Sequence, residues 1–129
     1  MAKINKIETK KAPASVGPYS QGVETEQFIF VSGTLPVDPK TGRVVEKDIK
    51  VQTDQVIENM KAVLEAAGSG LDKVVRCDVF LQNMNDFKEM NAVYASIFAT
   101  EPKPARQAVE IVKLPLLGAL IEISCIAHK

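Results

Sequence analysis

Only two stretches of this chain repeat apolar residues at helical spacing; its remaining apolar runs read as strands. In the first stretch, roughly 49–67, Val56, Ile57, Met60, Val63, Leu64 and Ala67 make one stripe, and Gly68 is placed to cap the C-terminus. In the second, Phe87, Met90, Val93, Tyr94, Ile97 and Phe98 make a buried stripe. Asn85 or Asp86 would cap its start, and Asp86 with Glu89 has capping-box spacing. Strand-like segments occupy residues 3–8, 20–25, 27–33, 73–81, 105–113 and 119–127. Thr25-Glu26 marks a hairpin between the second and third of these. Asp38-Pro39-Lys40-Thr41-Gly42 is a turn, with proline fixing φ and glycine permitting positive φ. Val75, Cys77, Val79 and Leu81 are expected on one face of their strand. The last two strands, joined by a short loop, read as an antiparallel hairpin. The order β-β-β-α-β-α-β-β predicts an α+β layer fold with two helices on one face of a sheet of about six strands.

That arrangement leaves a face uncovered. Phe28 and Phe30 lie on one side of the third strand, Ile29 and Val31 on the other, so the strand is central or at an interface. A monomer rarely exposes an apolar sheet face, and a homo-oligomer of this chain is the expected way to bury it.

At 129 residues the chain fits one domain, residues 1–129. Sixteen basic and sixteen acidic residues cancel, which gives no electrostatic case for nucleic acid. The start, Met1-Ala2-Lys3-Ile4-Asn5-Lys6, has no apolar signal core. The longest apolar run, Leu114 to Ile121, is broken by Pro115 and Gly118 and is too short for a membrane span. A cytoplasmic protein without membrane contact is expected. Cys77 and Cys125 lie in apolar strand segments and read as buried reduced thiols. His128 is the single histidine and sits next to the chain end, a poor place for a base. With no carboxylate cluster either, no metal site is expected. Phosphate-binding glycine loops, a serine-hydrolase elbow and a dinucleotide fingerprint are not seen. Ala66-Ala67-Gly68-Ser69-Gly70 is helix-ending punctuation.

Two charges stand out because they sit among aliphatic residues, where an unpaired charge costs several kcal/mol. Arg106 opens the segment Arg106-Gln107-Ala108-Val109-Glu110-Ile111 after Pro104-Ala105, and Glu122 lies between Ile121 and Ile123. A guanidinium offers a planar fork that fits a carboxylate, so Arg106 reads as a substrate clamp or as one half of an ion pair with Glu110. Glu122 reads as a carboxylate that positions or activates water, or as a salt-bridged strand residue. Opposite charges in consecutive strands suggest that the two groups lie near each other. Gly17-Pro18-Tyr19-Ser20-Gln21 delivers a tyrosine that is either a cleft wall or a loop anchor. Ser32-Gly33 ends the third strand as a backbone site for a ligand oxygen or as a β-bulge. Asn91, near the second apolar stripe, needs a hydrogen-bond partner, either ligand or backbone.

These residues, together with Ala12-Pro13, Leu35-Pro36-Val37-Asp38-Pro39-Lys40-Thr41-Gly42, Asn85-Asp86-Phe87, Tyr94, Leu114-Pro115 and Ile121-Glu122-Ile123, resemble the reactive intermediate deaminase A (RidA, YjgF) family. The resemblance runs from about Ile7 to Ala127. It implies a chorismate-mutase-like α+β subunit with a six-stranded mixed sheet, and a homotrimer whose sheets line a central barrel. Ligand sites are then expected between subunits. It further implies hydrolysis of 2-iminobutanoate and 2-iminopropanoate, products of PLP enzymes, to 2-keto acids and ammonia with no cofactor or metal. Carried over by position, Arg106 would grip the substrate carboxylate and Glu122 would position the attacking water. Gly33 would offer a backbone N–H, Tyr19 and Ser32 would line the cleft, and Asn91 would sit at its edge. Ala108 stands where many relatives have cysteine, so a thiol mechanism at that position is excluded here. The loop Leu116-Leu117-Gly118-Ala119 is also more apolar than in those relatives.

Two other functions share the same residues. A protein that binds 2-keto acids without turnover would use the same arginine. Against a ribonuclease or translation inhibitor, an activity ascribed to some family members, stand the neutral net charge and the lone terminal histidine, although charge balance leaves room for a local basic patch.

Overall fold

The computed structural model describes residues 3–129, which leaves the first two residues of the Met1–Lys6 start outside the described part. In chain order the elements are β1 Asn5–Ile7, β2 Gly22–Glu24, β3 Phe28–Thr34, β4 Val37–Asp38, β5 Arg43–Val44 and α1 Ile49–Ala66. They continue with β6 Val74–Leu81, α2 Phe87–Ile97, β7 Ala105–Glu110 and β8 Ile121–His128. Six strands form one sheet in the order β1-β2-β3-β8-β6-β7, while β4 and β5 pair separately as a small hairpin. Only β6 and β7 run parallel, with α2 as the crossover between them, so the sheet is mixed.

Strand alternation decides which side the helices cover. Along β8, Ile121, Ile123, Cys125 and Ala127 are buried, while Glu122, Ser124, Ile126 and His128 point to the other face. Helix α1 lies on the buried side. The Asp48 carboxylate caps it by accepting from the Lys50 and Val51 N–H groups. Val56, Ile57, Met60 and Leu64 are fully buried beneath it, each contributing about 1.5–3 kcal/mol of transfer free energy. Gly68 ends the helix at φ +79°, and its N–H donates to the Glu65 carbonyl.

Two buried amides on α1 tie it to loops. Gln52 donates to the Gly118 carbonyl (2.9 Å) and accepts from the Leu120 N–H (2.7 Å), fixing the approach to β8. Asn59 donates to the Leu35 and Val37 carbonyls, fixing the segment after β3. Both side chains are satisfied by loop backbone, so their burial costs little and their loss would orphan loop groups.

Four expectations need correction. β7 and β8 do not form a hairpin, because β6 lies between them and pairs with both. Residues 111–120 instead carry the chain from the sheet edge across to its middle. A bulge between Val74 and Arg76 turns Val75 outward (37% exposed), so Val74 takes the core position. Asp86 makes no side-chain cap to α2; Asn83 accepts from the Asn85 N–H one turn earlier. In α2, Met90 and Tyr94 are buried, as is Phe98 just past its end, whereas Phe87, Val93 and Ile97 are only half-buried. Cys77 and Cys125 are free, buried and directly opposite each other in the β6–β8 register. Burial pushes the Cys77 thiol up to about 11 and raises Cys125 as well.

The face away from the helices carries Phe28 and Phe30, 37% and 41% exposed, with Ile126 paired to Phe30 and Phe80 farther along, opposite Glu122. No helix among the described residues is long and apolar enough to cross a membrane.

Candidate functional site

β3 and β8 shape one half of the site. Their pairing shifts between Val31 and Thr34, which makes Ser32-Gly33 a bulge and opens the sheet there. Glu122 fills that opening. A Cβ built on Gly33 would lie 2.5 Å from Glu122 Oε2, so the absence of a side chain at 33 is what admits the carboxylate. Burial pushes the Glu122 carboxyl above its usual range. A cavity of about 770 Å³ surrounds it, lined by Tyr19, Ser32, Gly33 and Glu122 together with Val16 and Leu35. Ser32 donates to the Ser20 carbonyl (2.6 Å), and Tyr19 Oη accepts from the Val16 N–H (3.3 Å). The tyrosine is thus both loop anchor and cleft wall. Gln21, buried behind the wall, accepts from the Thr9 N–H and donates to the Thr9, Ala12 and Pro13 carbonyls. It holds that strip of chain against the cavity.

Arg106 forms the other half, on the edge strand β7. Its Nη1 donates to Asn91 Oδ1 (2.7 Å), and its guanidinium carbon lies 4.7 Å from the Tyr94 ring centre and 5.6 Å from that of Phe87. Phe87, Asn91 and Tyr94 project from one face of α2 at i, i+4 and i+7. The ion pair with Glu110 does not form, because Glu110 Oε1 accepts from the Met84 N–H. Among the described residues neither Arg106 nor Glu122 takes part in an ion pair. Ala108 follows Arg106 on the same strand face and packs on the core.

The two halves do not meet within one copy of the chain. Arg106 is in register with Cys77 and hence Cys125, on the helix-covered face, whereas Glu122 is in register with Phe80 on the open face. Arg106, Asn91 and Ala108 do not line the cavity that holds Tyr19, Ser32, Gly33 and Glu122. The expectation that consecutive strands place the two charges together is therefore overturned: β6 separates them and odd register spacing puts them on opposite faces. Tyr94 and Phe87 were readable only as core. Their i, i+4, i+7 relation to Asn91 was the signal that the three make one platform. Among the described residues no cluster of histidine, cysteine and acidic side chains could hold a metal ion.

The family model for endoribonuclease L-PSP matches residues 9–129. A RutC family protein of Pyrococcus horikoshii is 54% identical over 123 residues, 95% of this chain and 96% of that one. The 2-iminobutanoate/2-iminopropanoate deaminase of Salmonella typhimurium is 45% identical over 123 residues, 94% of each chain. A solved structure from Yersinia pestis, described as a conserved Rid family protein of unknown function, superposes with a TM-score of 0.94. It shares 43% identity and covers 98% of this chain and 100% of that one. The chain belongs to the endoribonuclease L-PSP family, that of the RidA and YjgF proteins.

Proposed function

We propose that this chain is a homotrimeric imine deaminase that hydrolyses 2-iminobutanoate and 2-iminopropanoate to 2-keto acids and ammonia, with each site built by two copies. The observation that carries this reading is that each half of the site lacks what the other has. Among the described residues Arg106 is a half-buried cation with no carboxylate partner, and Glu122 is a half-buried carboxyl with no cation. An exposed β7 edge and an uncovered apolar sheet face supply surfaces on which a second copy would dock. The like-named activity of the Salmonella relative supports the chemistry.

In this reading Arg106 grips the substrate carboxylate through its fork, with Asn91 fixing the guanidinium. Glu122 of the adjacent copy accepts a proton from water as the oxygen attacks the imine carbon. The nitrogen takes up that proton to give a carbinolamine; Glu122 then takes the hydroxyl proton and hands it to the nitrogen, so the C–N bond breaks and ammonia leaves as the carbonyl forms. Tyr19 and Ser32 wall the cleft, the Gly33 backbone lies against the reacting group, and Ala108 leaves room beside the arginine. No step uses a metal, cofactor or thiol. A carboxylate-binding protein without turnover would need Arg106 but not the raised carboxyl of Glu122. A net charge of zero and a single histidine argue against ribonuclease chemistry.

The test is to generate 2-iminobutanoate in situ with a threonine dehydratase and trap what remains with semicarbazide. Wild type should speed the loss of imine and Arg106→Ala should not. Equal trapping with and without the protein would leave carboxylate binding as the function.

A further inference from the structure

Tyr94 holds a buried hydroxyl with no well-formed hydrogen bond among the described residues. The residue is 6% exposed, and among the described residues its Oη has no partner at hydrogen-bond geometry, the Cys77 thiol being near enough only for the two groups to perturb each other. An unsatisfied buried hydroxyl is unfavourable, so a phenylalanine would serve the core as well or better. The ring, in contrast, has a defined relationship: its centre lies 4.7 Å from the Arg106 guanidinium carbon, nearer than the Phe87 ring at 5.6 Å. Phe98 packs against the Tyr94 ring, with ring centres 4.6 Å apart and a tilt of 39°. Only one nitrogen of Arg106, Nη1, has a hydrogen-bond acceptor among the described residues, which is Asn91.

One hydrogen bond leaves a guanidinium free to swing about its side-chain torsions. A ring face beneath it removes that freedom while taking none of its N–H groups, because the attraction comes from the ring quadrupole. We infer that Tyr94 is a positioning residue for Arg106, acting through its π face, so that the unused N–H groups are presented to a carboxylate in a fixed plane. This rests on Arg106 being the carboxylate clamp. Asn91 fixes the guanidinium at one corner and Tyr94 fixes its plane. The remaining fork is what a planar 2-imino or 2-keto acid would engage in a bidentate way.

The experiment measures binding of 2-oxobutanoate to the full chain by titration calorimetry. It compares wild type, Arg106→Ala, Tyr94→Phe, and proteins with singly, doubly and triply fluorinated phenylalanine at position 94. Fluorination drains the ring face of negative charge with little change in shape, so a purely structural role would not respond. Tyr94→Phe should bind within about twofold of wild type, and affinity should then fall stepwise with fluorination, by roughly tenfold at the end of the series. KM for the imine should rise in the same steps with kcat following less. Loss of binding in Arg106→Ala with a flat fluorination series would overturn the role of Tyr94 and leave the clamp standing. Unchanged binding in Arg106→Ala, or no binding by wild type, would overturn the clamp and the role of Tyr94 together.

Discussion

Gly33 and Glu122 occupy one another's space: a methyl group on the glycine would sit 2.5 Å from the carboxylate oxygen. The bulge in β3 is therefore the cradle of Glu122, and the two positions constrain each other. Gly33→Ala should fold, since its φ does not lie in the glycine-only region, but must push Glu122 aside. A displacement of about 1 Å costs on the order of 100-fold in a positioned group. The expected outcome is a loss of that order in kcat/KM with a circular dichroism spectrum like that of wild type. Retained turnover would separate the carboxylate from the chemistry.

Arg106 predicts a second outcome. Lysine keeps the charge but not the planar fork, the Asn91 contact in its present geometry or the stacking on Tyr94. Arg106→Lys should lose at least about tenfold in kcat/KM, chiefly through KM. Steady-state kinetics on in situ imine measures this, and near-normal KM would contradict the clamp.

Glu122 ties activity and stability to pH in opposite senses. Burial within its own copy pushes its carboxyl above the usual range, so the folded chain holds that proton more tightly than the unfolded chain. Stability from this group is full below the ordinary carboxylate value and falls as pH rises through the raised one. Glu122→Gln should therefore gain stability over wild type as pH rises across that window in urea melts at matched concentration. Turnover needs the ionised base, so wild-type kcat should fall as pH drops through the same window. In Glu122→Gln that acid limb should be gone along with most of the rate. Parallel stability curves for the two proteins would contradict the raised carboxyl.

The helices and the main strands were legible because their apolar periodicities are long and regular. The stripe from Val56 to Leu64 fixed α1 to within a residue or so at either end. Pairing was less legible. β7 and β8 follow one another in sequence, and adjacency favours a hairpin. Nothing local reveals that β6 inserts between them and pairs in parallel with β7 through the α2 crossover. The two-residue strands β4 and β5 are too short to carry a pattern. Arg106 and Glu122 could be selected because a charge among aliphatic residues demands a reason. Their separation could not, because face assignment depends on register, and an odd offset between Cys77 and Phe80 reverses it. Tyr94 was hidden for a related reason: an aromatic in an apolar helical stripe looks the same whether it packs on leucine or carries an arginine.

Division of the site between two copies is the central claim, and it makes complementation possible. Arg106→Ala and Glu122→Gln should each be inactive alone and, like wild type, assemble to three times the 14.1 kDa chain mass by light scattering. Co-expressed with different affinity tags and purified as mixed trimers, they should regain activity. In every mixed trimer one of the three interfaces pairs an intact Arg106 from one copy with an intact Glu122 from its neighbour, so roughly a third of wild-type activity is expected. Mixed trimers with no more activity than the parent variants would mean that both residues must come from the same copy, and would contradict the account.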